Sequence, residues 1–323
     1  MQCLCSVAKQ TFRNFEILVL SDASPGHDEQ GRSAKKIVKE FSRSLSKNQN
    51  SIIRYLENSQ NLVLVETRRR LVEAAYGDYI FMLDSDDFIP ENALADLYEA
   101  AVKNQADVIQ GDCISVDATG INHIQSNNEA YAFAGILEGR SVFDDCFCIL
   151  KYRPVIPTKL IRREVYQKAF EQIPFIKTNM AEDVLQYFFI ALFAKKYVGV
   201  QTPVYYYRHS TGITIKKITT IEEWRTVCST ASVFTAIYSW IEEQNEVSDN
   251  PVLNEVEMKN LQKLAKFYCI NNVKQLREKV VPELQEQAHQ MLCQYWGEEA
   301  IKNTEEFLTK KKAVVANSFA EKL

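Results

Sequence analysis

"GDYIFMLDSDDFIPENAL" (residues 77–94) runs a short apolar stretch straight into three carboxylates, Asp84, Asp86 and Asp87. Carboxylates at the end of a buried strand are costly unless water, a partner or a cation takes up their charge. The apolar part, "DYIFMLD" (78–84), reads as a buried strand. Pro90 with Glu91 opens a helix, and Leu94, Leu97, Tyr98 and Ala101 lie on one of its faces. One reading of the acidic turn is purely structural: a polar connection in which Asp87 caps that helix. The other is chemical. Clustered carboxylates without a basic residue beside them suit a hard divalent cation, Mn²⁺ or Mg²⁺, which keeps waters and shares the phosphate oxygens of a substrate.

Outward from this stretch, strand-like and helix-like patches alternate. "FEILVL" (15–20) is a strand ending at Ser21-Asp22, "AKKIVKEFSRSL" (34–45) a helix and "SIIRYL" (51–56) a strand. "VLVETRRRLVEAAYG" (63–77) is a helix with Gly77 as its C-cap, and "DVIQGD" (107–112) another strand. This alternation predicts an α/β domain with a mainly parallel sheet and helices on both faces. In such sheets ligands bind outside the carboxyl ends of the strands, which is where Asp22 and Asp84-Ser85-Asp86 fall. Further on, "NMAEDVLQYFFIALFAKK" (179–196) is helical, and "YVGVQTPVYYYRHS" (197–210) reads as one or two strands broken by Pro203. From Thr220 the pattern is helical only, starting with a Thr220/Glu223 capping box. The expected organisation is therefore a domain over 1–215 and a helical region of three or four helices over 216–323.

Composition excludes several classes. Of 323 residues, 46% are hydrophobic and 25% charged, as in an ordinary globular protein. A net charge of -4 gives no sign of a nucleic-acid binder. No apolar run reaches the roughly 18 to 20 residues of a membrane span, and the N-terminus does not read as a signal peptide. The eight scattered cysteines fit reduced thiols, so the expected location is the cytoplasm. The C-x-C pairs Cys3/Cys5 and Cys146/Cys148 lack the usual zinc spacing. "TKKKAVV" (309–315) reads as a solvated helix face, with a peripheral contact to anionic lipid at the inner face of the cell membrane as the alternative.

Three blocks, in order, carry a resemblance. "CLCSVAKQTFRNFEILVLSDAS" (3–24) resembles the C-L-x-S…Q-T-F…E-I-L…D-x-S segment of family 2 glycosyltransferases. "NLVLVETRRRLVEAAYGDYIFMLDSDD" (61–87) resembles that family's N-x-G-L-x-x-A-R-N…G-D-Y…F-L-D-S-D-D block. "MAEDVLQYFFIALFAKKYVGVQTPVYYYRHSTGIT" (180–214) looks like the E-D helix and P-x-Y-x-Y-R tail of bacterial members. The resemblance implies a GT-A fold and inverting transfer of sugar from a nucleotide-sugar, usually UDP-linked, to a glycan or lipid-linked acceptor in bacterial surface polysaccharide or lipooligosaccharide synthesis, with Mn²⁺ or Mg²⁺ as cofactor.

Residue by residue, it implies that Asp86 ligates the cation and that Asp84 contacts ribose or supports the site. Asp22 would meet the donor's base and ribose, and Arg68, the Arg of A-R-N, its phosphates. Arg208 and His209 follow the last strand, where the family closes a loop over the diphosphate, with His209 a possible metal ligand. Lys159, in "PTKLIRREV", matches a lysine of the family and takes a structural or acceptor-side role. The sequence departs from the pattern at Ser21 and Ala23, where the family has Asp and Gly, and at Val63, Arg69 and Leu71, where it has Gly, Asn and Gly. Family members also open with a V-S-I-I-I-P-x-Y-N strand upstream of C-L-x-S, whereas Met1 here stands inside the helix that follows. The expected domain is therefore one without that first strand.

An inverting transfer needs a carboxylate to take the acceptor hydroxyl's proton. Asn179 and Glu182 have capping-box spacing, which leaves Asp183 free to face a site, and the helix N-terminus favours its ionised form. The family's base matches Asp183. Two other readings stay open: a non-catalytic sugar-nucleotide binder or scaffold of the same family, and a nucleotidyltransferase. The latter calls for a Gly-rich basic loop after the first strand, and none is visible.

Overall fold

The computed structural model describes residues 2–45, 53–124, 131–209 and 217–320. The chain divides into two compact units, Met1–Lys177 with Asp183–Gly212, and Thr178–Glu182 with Ile213–Leu323.

In the first unit the helix α1 (Gln2–Ala8) leads to β1 (Ile17–Ser21), α2 (Ala34–Ser44), β2 (Ile53–Glu57), α3 (Val63–Ala74), β3 (Tyr79–Phe81), α4 (Ala93–Asn104) and β4 (Val108–Val116). Then come β5 (Ile136–Glu138), α5 (Ser141–Phe147), β6 (Lys159–Arg162), α6 (Arg163–Gln172), α7 (Glu182–Phe193) and β7 (Lys196–Arg208). Ser33 caps α2 by accepting from the Lys36 N–H, as a helix N-terminus with free N–H groups requires. α4 buries Ala93, Leu97 and Ala101 against the sheet residues Ile109, Leu160 and Tyr205, the face that the apolar spacing marks out.

The α/β class is as expected, but the pairing is more mixed than the alternation suggested. β1 and β2 pair in parallel as a two-stranded sheet. The larger sheet has the order β3-β6-β4-β7-β5, in which only β4 and β7 run parallel. The cause is β6. It returns antiparallel between β3 and β4, and nothing in its four residues signals direction. β3 spans three residues and is only part-buried, not the buried seven-residue strand expected. Pro203 does not break β7. β5 covers only Lys196 to Val198, so at Pro203 the strand has a single neighbour, and register shifts opposite Gln110–Cys113 absorb the irregularity.

Two predicted helix ends also move. α3 ends at Ala74 with Ala75 extended, and Gly77 instead donates its N–H to Glu16. α4 starts at Ala93, after Pro90, whose carbonyl accepts from the Ala93 N–H.

In the second unit the described elements after Ile218 are helices: α8 (Ile221–Cys228), α9 (Thr230–Val247), α10 (Glu255–Lys279), α11 (Gln285–Trp296) and α12 (Glu298–Ala320), with a 3₁₀ turn at Pro282–Leu284. The Thr220/Glu223 capping box forms as read from the sequence, and Asn254/Glu257 makes a second one. Trp224, Cys228, Val273, Leu276, Leu292 and Ile301 form its core. Among the described residues no helix is long and apolar enough to cross a membrane. The eight cysteines are free thiols. The side chains of most of "TKKKAVV" and the tail after Arg208-His209 lie outside the described residues.

Candidate active site

The acidic turn is fixed by its neighbours. Asp87 is 2% exposed and does not cap α4. Its Oδ2 accepts from the Tyr205 hydroxyl at 2.8 Å and its Oδ1 from the Arg208 N–H at 2.7 Å. The same Tyr205 oxygen accepts from the Asp84 N–H at 3.2 Å. Phe88 and Tyr206 exchange backbone hydrogen bonds and stack, with ring centroids 4.8 Å apart. The end of β7 therefore holds the turn, while Ser85 and Asp86 at its tip are exposed. Burial pushes the Asp87 carboxyl up to about 6, against its hydrogen bonds from Arg208 and Tyr205.

From the other side α1 grips the same turn. The Cys3 thiol points at the Asp84 carbonyl, Ser6 Oγ accepts from the Ile89 N–H, and Gln10 bonds Pro90 and Leu94. Burial raises the Cys3 thiol to about 11, so it stays neutral.

Arg68 joins the blocks. On α3 it is 3% exposed, not part of a solvated "RRR" face. Its guanidinium lies 2.6 Å from Asp183 Oδ1 and 3.6 Å from Asp84 Oδ1. Burial pushes the Asp84 carboxyl above its ordinary range; Arg68 opposes this, and the carboxylates of Asp183 and Asp86 add to it. Asp22 is fixed at the end of β1: its Oδ1 accepts from Asn58 Nδ2 at 2.7 Å and from the Leu62 N–H at 2.8 Å. Asn58 is itself buried and held by Arg70.

Strained backbone borders these residues. Ala23, Val63, Thr158 and Ala181 all have positive φ, at 50°, 64°, 79° and 58°. Two of them, Ala23 and Val63, occupy positions where the family has glycine. The turn geometry survives without the residue that adopts it freely, at a cost of about 1 kcal/mol each.

Lys159, missed as a buried group in the sequence, is fully enclosed. Its Nζ donates to the Arg153 and Val155 carbonyls at 2.9 and 2.5 Å and lies 4.6 Å from the Tyr187 ring centroid. Burial lowers its pKa to about 7, while Cys146 and Asp183 act the other way. Its signal in the sequence was a single lysine between apolar residues at the start of a strand.

Among the described residues the buried His209 Nε2 has no hydrogen-bond partner, a nitrogen suited to a ligand. The carboxylates of Asp84 and Asp86 suit Mn²⁺ or Mg²⁺, whereas the His209 imidazole suits a transition metal better than Mg²⁺. Among the described residues, however, no three His, Cys, Asp or Glu side chains are gathered closely enough to form a ready metal cluster. The structure thus brings together Asp84, Arg68 and Asp183, fixes Asp22 and Arg208 by hydrogen bonds, and leaves Asp86 and His209 outside any such cluster.

The sequence profile of Glycosyl transferase family 2 matches residues 1–184, more than half of the chain. The chain is 26% identical to glycosyltransferase GlyA of Streptococcus pneumoniae over 224 residues, 69% of this chain but 30% of GlyA. It is 25% identical to GlyG of the same organism over 218 residues, 66% of this chain and 67% of GlyG. Among solved structures, S. aureus TarS 1–349 in complex with UDP-GlcNAc is similar with a TM-score of 0.52 and 18% identity, covering 96% of this chain and 87% of that one. That likeness is one of fold, and the fold is GT-A. The sequence blocks, the fold and the profile match agree, and the chain belongs to the family 2 glycosyltransferases.

Proposed function

We propose that the protein is an inverting glycosyltransferase that moves a sugar from a UDP-linked nucleotide-sugar to a glycan or lipid-linked acceptor in bacterial surface polysaccharide synthesis. The observation that carries this reading is the Arg68 bridge, which draws the carboxylate of the acidic turn and that of the E-D helix to one place. The donor class follows the family; TarS, of the same fold, holds UDP-GlcNAc.

In this reading Asp183 is the general base. It accepts the proton of the acceptor hydroxyl as that oxygen attacks the anomeric carbon and the bond to the diphosphate oxygen breaks, with inversion. The Arg68 guanidinium holds Asp183 in place. Asp22, fixed by Asn58 and Leu62, meets the base and ribose of the donor. Asp84 supports the ribose side, and Arg68 and Arg208 lie on the side of the phosphates. Asp86, with Asp84 and His209, would hold Mn²⁺ or Mg²⁺, which when bound neutralises charge on the diphosphate leaving group. The helices of 216–323 form a separate region without this chemistry. The place of action is the cytoplasm, against the inner membrane face where a lipid-linked acceptor is presented.

The test is release of UDP from a panel of UDP-sugars by the full chain with Mn²⁺, with and without membrane glycolipid as acceptor. Acceptor-dependent release supports the reading. Donor binding with no release under any pairing contradicts it and favours a non-catalytic binder.

A further inference from the structure

The Arg68 bridge has unequal arms. Toward Asp183 the guanidinium is 2.6 Å away, at direct hydrogen-bond distance; toward Asp84 it is 3.6 Å away, a longer and weaker pairing. One buried cation thus serves two carboxylates that lie 99 residues apart in sequence and belong to different parts of the proposed reaction. Asp84 is the first acid of the turn whose tip, Asp86, is open to solvent. The Asp84 side chain, crowded by protein on one side, remains 41% exposed on the other.

We propose that Arg68 is a built-in counter-ion that competes with a divalent cation for Asp84 and, once displaced from it, keeps its pairing with Asp183. This rests on reading the acidic turn as a cation site. A divalent ion drawn to Asp86 meets, at Asp84, a carboxylate already paired with positive charge. Binding the ion and pairing Arg68 with Asp84 oppose one another through Coulomb repulsion. The ion therefore binds more weakly than the two carboxylates alone would allow. By the same coupling, its arrival weakens the Arg68–Asp84 pairing to the same degree, while the shorter Arg68–Asp183 pair stays in place. Arg68 is a positioning residue: it touches the two carboxylates and links the occupancy of the donor side to the placement of the proposed base. The short arm stays and the long arm yields, which is the asymmetry the distances show.

The experiment is calorimetric titration of Mn²⁺, without nucleotide, into the full chain. Wild type is compared with Arg68→Met and Arg68→Lys, and Asp183→Asn with the double variant Arg68→Met/Asp183→Asn. The double variant leaves no carboxylate unpaired at Asp183 and guards against a failure to fold. Arg68→Met is expected to bind Mn²⁺ about tenfold more tightly than wild type, and the double variant about tenfold more tightly than Asp183→Asn, after allowance for the solvent exposure of Asp84. Arg68→Lys, which keeps the charge, stays near wild type. A merely structural role for Arg68 would weaken binding or leave it unchanged in the folded double variant relative to Asp183→Asn, and that result overturns the proposal, as does absence of Mn²⁺ binding in every variant. The readout needs no sugar transfer. Tighter binding without any transferase activity would leave the competition standing and the proposed reaction fallen; transfer with unchanged Mn²⁺ affinity would do the reverse.

Discussion

The two units satisfy their buried polar groups in different ways. In the second, the buried Glu257 closes onto Asn254, three residues away at a helix start. Its Trp224 indole donates to the Ala288 carbonyl, a neutral link, and its Arg277–Glu305 ion pair is part-exposed. In the first, buried charge is held across the chain. Arg68 meets Asp183 over 115 residues, and Asp87 meets Tyr205 over 118. Local pairing of this kind stabilises a helix end and nothing else. Pairing over such distances at the ends of strands fixes carboxylates where a ligand can meet them, and the fold bears the desolvation cost for it.

Breaking a long-range pair should have the largest effect on stability. Asp87→Ala leaves the Tyr205 hydroxyl and the Arg208 N–H without their acceptor, and a loss of about 2–5 kcal/mol is expected from two orphaned buried donors. Urea unfolding measures it. A loss below about 1 kcal/mol, in the range of an ordinary surface change, would mean that the turn does not depend on β7.

Lys159 sharpens the comparison through pH. Its pKa is lowered to about 7 when folded, against 10.5 in its ordinary state. Between those values the unfolded chain binds the proton and the folded one does not, so this group's contribution to stability rises with pH. Lys159→Met removes it. Relative to the variant, wild type should gain up to about 1.4 kcal/mol per pH unit between pH 7 and 9. Unfolding curves that stay parallel for the two proteins across that range would show that the lysine remains charged in its tyrosine-lined site.

The smallest effect belongs to the second unit. Thr220→Ala removes one half of a capping box and should cost about 1 kcal/mol, with sugar transfer unchanged. A drop in transfer without further loss of stability would show that the helical region takes part in the chemistry.

Much of this was legible in the residues. Apolar patterning located β1, α2, α4 and α7 within a few positions, and the Thr220/Glu223 spacing marked its helix start. The three blocks placed Asp22, Asp84 and Asp183 at element ends. What could not be read were facts of three-dimensional approach. Asp87 looked like a cap because Asp before a helix usually is one; its partners lie on a strand more than a hundred residues later. Arg68 sat in a run of three arginines that shows no sign of which one is buried. Ala23 and Val63 break the glycine pattern, yet their φ angles keep its geometry, since packing and the Asp22–Leu62 hydrogen bond override the local preference. β6 gave no hint of its direction, so the mixed sheet had to be observed.

The central claim is that Asp183, held by Arg68, is the base of a sugar transfer. Asp183→Asn keeps the size of the side chain and removes its ability to take a proton. The account predicts that turnover falls by about 10² to 10⁴-fold while UDP-sugar affinity, measured by calorimetry on the same protein, stays near wild type, because the loss falls on the transition state. Near-normal turnover in Asp183→Asn, or a parallel collapse of donor affinity, would contradict it.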